Sequence, residues 1–76
     1  MVTSKEQIKL ELRGLSPRTL RMLKMVAEGD SNTEIAYRMG LSVPSVEHAM
    51  ADAFRGLGAR TRCHAVALAM REGLMS

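Results

Sequence analysis

A hydroxyl-bearing residue, then a run of helical-period residues, then a glycine: this order recurs along the chain, at Ser16 to Gly29, Ser31 to Gly40, Ser42 to Gly58 and Thr61 to Gly73. A serine or threonine oxygen accepts from an unpartnered N–H of a first helical turn, and glycine takes the left-handed conformation that ends a helix. The spacing therefore predicts helices over about Pro17 to Glu28, about two turns after Ser31, about Val43 to Leu57 and about Arg62 to Glu72. Pro17 stands at a first helical position, where its missing N–H costs nothing. Glu34, three residues after Ser31, completes a capping box.

Within these runs the apolar residues fall at helical spacing. They are Leu20, Leu23, Val26 and Ala27 in the first, with Met22 and Met25 widening the face, and Ile35, Ala36 and Met39 in the second. The third carries Val46, Ala49, Met50, Ala53, Phe54 and Leu57, and the last Ala65, Val66, Ala69 and Met70. One Phe, one Tyr and no Trp leave a core of Leu, Val, Ala and Met, which favours helices over sheets. Seventy-six residues support a single core. The expectation is an all-α fold, a four- to five-helix bundle over residues 15–76, preceded by an amphipathic, helical segment over residues 1–14.

Several function classes fall away. Cys63 is the one cysteine, so neither a disulfide nor a thiolate zinc site staples the chain, and it reads as a small apolar filler. The seven methionines read mostly as core, with Met70 and Met75 as an adaptable contact surface. There is no Gly-rich phosphate loop, no paired carboxylates and too little volume for an ordinary substrate cavity, so no enzyme, cofactor or metal is expected. No continuous apolar run suggests a signal peptide or membrane span, and a reducing cytoplasm is the expected setting, that of a bacterial nucleoid or a phage-infected host. The net charge of +3 suits a polyanionic partner. Yet residues 42–57 carry −1, with Glu47 and Asp52 against Arg55.

The second and third runs fit a helix-turn-helix. That motif needs a small residue where two helices meet, a glycine in the turn and a branched apolar residue pinning the second helix on the first. Ala36, Gly40 and Val46 stand at the required offsets, with Ile35, Leu41 and Met50 filling the core between them. An ordinary compact three-helix bundle shows the same pattern.

Beyond the pattern, the chain reads Leu15-Ser16-Pro17-Arg18, Val26-Ala27-Glu28-Gly29, Ser31-Asn32-Thr33-Glu34-Ile35-Ala36, Gly40-Leu41-Ser42, Ser45-Val46-Glu47, Phe54-Arg55-Gly56-Leu57-Gly58, Thr61-Arg62 and Ala65-Val66. From about Leu15 to Leu74 it resembles the LuxR-type, or GerE-like, DNA-binding domain of bacterial regulators. The resemblance implies four helices in order, the third lying in the major groove and the last often forming a dimer contact. Most such regulators carry a further sensory domain. None is read here, so a stand-alone regulator is expected.

The reading-helix pattern of that family, Thr-Val-Lys-x-His, is replaced by Ser45-Val46-Glu47-His48-Ala49. Ser45 can donate to a phosphate as Thr does, whereas the cation at position 47 has become an anion. A Glu there is tolerated where it accepts from a cytosine amino group or is held by a neighbouring Arg. His48 takes the variable, base-facing place and can donate to a purine acceptor. Ala51 stands where some members carry Lys, Arg55 is kept, and the adjoining family Lys is Gly56. The implied DNA-contacting set is Asn32, Thr33, Ser45, Glu47, His48, Ala51, Arg55 and Arg60.

Phosphate neutralisation falls to Arg38, Arg55, Arg60, Arg62 and Lys24. Glu47 and Asp52 read either as base contacts or as a solvated face, and His48 as a base reader or an exposed histidine. Arg62 reads as a core partner of an acid or as a phosphate contact. Leu68 and Leu74, with Ala65, Ala67 and Ala69, read as a homodimer surface or as packing within the bundle. The expected partner is double-stranded DNA. The competing function is an adaptor that binds RNA polymerase or another regulator without reading DNA.

Overall fold

The computed structural model describes Ile8 and residues 11–75. Between Pro17 and Arg71 lie four helices: α1 (Pro17–Ala27), α2 (Asn32–Met39), α3 (Val43–Leu57) and α4 (Arg62–Arg71). There is no strand among the described residues. Nor is any described helix long and apolar enough to cross a membrane. Of the segment expected to be helical over residues 1–14, Ile8, Glu11 and Leu12 are helical and Arg13 and Gly14 form a turn. Its remaining positions lie outside the described residues.

The helices start where the hydroxyls are. Ser16, Ser31, Ser42 and Thr61 accept from the backbone N–H groups of Thr19, Glu34, Ser45 and His64 at 3.1, 3.2, 3.2 and 3.1 Å. They also end alike. The N–H groups of Asp30, Leu41, Ala59 and Leu74 reach back five residues to the carbonyls of Met25, Ala36, Phe54 and Ala69, at 3.0, 2.8, 2.9 and 2.9 Å. This is the Schellman closure, in which the preceding glycine turns the chain left-handed and satisfies an otherwise free helical carbonyl.

Packing then arranges the helices around α3, which contacts α1, α2 and α4. Its buried stripe is Val46, Met50, Ala53 and Leu57, at successive helical spacings. Leu20, Met22 and Leu23 of α1, Ile35 and Ala36 of α2, and Ala65 and Ala69 of α4 meet that stripe or one another. Leu15, Leu74 and Met75 close the core from the chain segments outside the helices. Each large apolar side chain so buried contributes about 1.5–3 kcal/mol. Thr19 is buried too, and its hydroxyl lies 3.0 Å from that of Ser16.

Five expectations need correction, and four of them concern the C-terminal end. Leu74, expected at a dimer surface, is 1% exposed. The reversal after Gly73 turns the chain beneath α4, as the N–H of Leu74 bonds the Ala69 carbonyl, and the side chain is drawn into the core of its own bundle. Met75 follows it into the core instead of forming a contact surface. Met70, read both on the apolar face of α4 and as a contact surface, is 51% exposed and so leaves the inward face, because Ala65 and Ala69 set that face and Met70 stands one step further round the helix. Cys63 is likewise exposed and fills no core space. Ala27 is exposed as well: it keeps the helical spacing from Leu20 and Leu23, but as the last residue of α1 it lies beyond the packed core.

Gly56 marks a crossing. A Cβ built there would strike the carbonyl oxygen of Arg13 and approach Leu15 Cδ2 at 3.3 Å. The turn leading into α1 therefore passes directly over α3 at a position with no side chain. Arg13 fastens the same turn to the far end of the domain through an ion pair with Glu72, the cap of α4.

Candidate nucleic-acid interface

Helices α2 and α3 meet as a helix-turn-helix requires. Ile35 and Val46 are fully buried and Ala36 is 3% exposed, so the helices approach closely at the alanine. Gly40, at φ 68°, supplies the left-handed residue of the turn. Leu41 packs against the core just after it. With one stripe of α3 committed inward, Pro44, Ser45, Glu47, His48, Ala51, Asp52 and Arg55 are all exposed.

Among these, His48, Asp52 and Arg55 follow one another at i, i+4 and i+7, opposite the buried stripe. Asp52 receives a hydrogen bond from Arg55 Nη2 and lies 3.6 Å from His48 Nε2. The acid held by an arginine is thus Asp52; Glu47, for which the sequence allowed that arrangement, makes no ion pair among the described residues. Glu47 lies seven residues before the half-buried Phe54, on the shoulder of α3 and away from its outermost line.

The start of α3 is preset as a donor. Ser42 Oγ accepts the Ser45 N–H and donates to Ser45 Oγ at 2.8 Å, which leaves the Ser45 hydroxyl hydrogen free to point outward. Beside it lies an open groove of about 500 Å³ between α1 and α3. Ser16, Arg18, Thr19 and Met22 line one side, and Pro44, Ser45, His48, Ala49 and Asp52 the other. Arg18 therefore faces the outer side of α3, a placement the sequence reading missed. Its signal, a cation in the first turn of α1, is too common to stand out without the groove.

The other expected cations divide. Arg60 is exposed, and its N–H donates to His64 Nδ1 at 3.0 Å, which orders the loop before α4. Lys24 lies with Ala27, Glu28 and Met75 along a different groove, and so does not join the α3 face. Arg38 pairs with the Asp30 carboxylate. Arg62 donates to Asn32 Oδ1 at 2.7 Å and to the Asp30 carbonyl at 2.9 Å. Its expected core partner was an acid; the partners are an amide and a peptide carbonyl, because the first turn of α4 faces the entry to α2. Asn32 is accordingly half-buried and held at its oxygen, while Thr33 beside it is exposed.

The entry to α2 has one perturbed group. The Ser31 N–H donates to Glu34 Oε1 at 3.0 Å, and this bond chiefly lowers the Glu34 pKa below its ordinary value. The Ser31 side chain lowers it further, desolvation works in the opposite direction, and the Arg38 charge adds a lesser lowering. The same carboxylate stands in the first turn, where the helix dipole favours an anion.

Comparison with known proteins agrees with this geometry. Residues 13–69 match the bacterial regulatory proteins of the luxR family. Among curated proteins, the HTH-type transcriptional activator RamA of Corynebacterium glutamicum is 41% identical over 61 residues, covering 80% of this chain. That alignment spans 22% of the relative, so the chain corresponds to about a fifth of its length. No solved structure matches. Since the matched stretch includes all of α1, α2 and α3 and most of α4, the chain belongs to the LuxR family of bacterial regulatory proteins.

Proposed function

We propose that this domain regulates transcription by inserting α3 into the major groove of duplex DNA, and that the four-helix unit does so by itself. The observation that carries the reading is α3 itself: three helices bury one stripe of it and leave the opposite line wholly exposed. A major groove about 12 Å wide admits such a helix. His48, Ala51 and Arg55 face the base edges, with Glu47 at the shoulder beside the sugar-phosphate wall. Thr33, Ser45, Arg60 and Arg18 bind phosphates, and Asn32 and Arg62 hold the entry to α2 in place. The likeness to a named transcriptional activator supports a role in transcription.

The test is a titration of the isotope-labelled protein with duplex DNA at low salt, followed by amide chemical shifts. Shifts concentrated on α3 and the first turns of α1 and α2 are expected; unchanged spectra would overturn the reading. Selection of bound duplexes from a random pool then gives the site. A symmetric dimer, with Leu68 at its contact, predicts two half-sites one helical turn apart, about 34–36 Å.

A second reading, an adaptor for RNA polymerase or another regulator, draws on one observation. Tyr37 projects from the outer side of α2 at 88% exposure. Capture of polymerase from nuclease-treated bacterial lysate, lost in Tyr37→Ala, would favour it over DNA reading.

A further inference from the structure

We infer that Asp52 is a positioning residue for base recognition: its carboxylate holds Arg55 in place along the outer face of α3 and leaves His48, at its other side, free to turn. The inference rests on the DNA reading above. An anion at the middle of a helix that enters a groove is a cost, since it repels phosphates. Its place here is specific. Asp52 lies four residues after His48 and three before Arg55, and both neighbours incline towards it.

Fold stability does not account for the arrangement. The side chains of His48, Asp52 and Arg55 are 81%, 50% and 69% exposed, and exposed ion pairs add little to stability. A free arginine, however, loses much rotamer freedom when it docks on a base. Asp52 takes up part of that loss beforehand by occupying one edge of the Arg55 guanidinium. The remaining N–H groups of the planar fork can then address the O6 and N7 acceptors of guanine. His48, 3.6 Å from the same carboxylate, is too far for a direct hydrogen bond and stays free to turn towards a neighbouring purine.

Asp52 as a mere anion and Asp52 as a clamp predict opposite effects on selectivity. The probes are a duplex carrying the sequence enriched from a random pool and a duplex of the same composition in scrambled order. For Asp52→Asn the clamp predicts tighter binding to the scrambled duplex, through loss of one negative charge. It also predicts a fall in the ratio of selected to scrambled affinity on the order of tenfold. Arg55→Lys, which keeps the charge but not the planar fork, lowers the ratio similarly, and the double variant lowers it no further. Equal gains on both duplexes for Asp52→Asn, or additive losses in the double variant, overturn the clamp while leaving DNA binding intact. A selection that enriches nothing overturns the DNA reading and the clamp with it.

Discussion

Arg62 spends two N–H groups inside the protein, one on the Asn32 amide and one on the Asp30 carbonyl, and so ties the first turn of α4 to the entry of α2. Removing it leaves two partly buried acceptors without a donor. Arg62→Ala is therefore expected to cost about 1–3 kcal/mol in urea unfolding, more than Asn32→Ala. An effect within error of wild type would show that water replaces the guanidinium freely. At Gly56 the expected sign is opposite to that of an ordinary helical glycine. Gly→Ala in an exposed helix stabilises by about 1 kcal/mol. Here a Cβ meets the Arg13 carbonyl, a backbone atom that cannot swing aside, so Gly56→Ala is expected to destabilise by about 1–3 kcal/mol. A more stable variant would mean that the Arg13 turn lifts off α3 at little cost.

Helix α2 illustrates how far a short element depends on its ends. At eight residues it is too short to persist alone, and its capping box and left-handed stop supply part of what propensity cannot. The box is also pH-sensitive. Folding lowers the Glu34 pKa, so the carboxylate contributes fully above the unfolded glutamate value, about 4.3, and its contribution is lost as pH falls through the folded value. Glu34→Gln keeps an acceptor for the Ser31 N–H without a titrating group. Its stability is expected to fall less steeply than wild type below about pH 4.3, measured by urea unfolding at a series of pH values. Parallel curves would assign the acid sensitivity to other carboxylates.

The whole domain is a cage around α3, and integrity of the cage and DNA affinity are separable. Leu74 belongs to the cage: Leu74→Ala is expected to cost about 2–5 kcal/mol with no change in sedimentation of the folded protein. A dissociating dimer would instead place that side chain at an interface between copies. Arg55 belongs to the outer face. Arg55→Ala is expected to leave thermal unfolding nearly unchanged while weakening binding to the selected duplex more than to a scrambled one. The slope of log affinity against log salt is expected to change little, since the clamp by Asp52 puts the arginine on a base edge. A slope lower by about 0.9 would place Arg55 on a phosphate instead.

What could be read from the residues alone was local. Each cap joins groups three residues apart and each glycine closure groups five apart, so Ser16, Ser31, Ser42, Thr61 and the glycines that follow carried the helix limits in plain view. The buried stripe of α3 was equally legible, because charged residues mark the opposite side. In α4 that contrast is missing: residues 65–70 are all apolar, so the run does not say which side turns inward. Packing chose the side where alanines permit close approach, which left Met70 outside. Position after a left-handed turn put Leu74 inside. The partners of Arg62, the passage of Arg13 over Gly56 and the meeting of Arg18 with α3 likewise join residues distant in sequence. Such pairings leave no periodic trace, and arise only when the helices are brought together around one core.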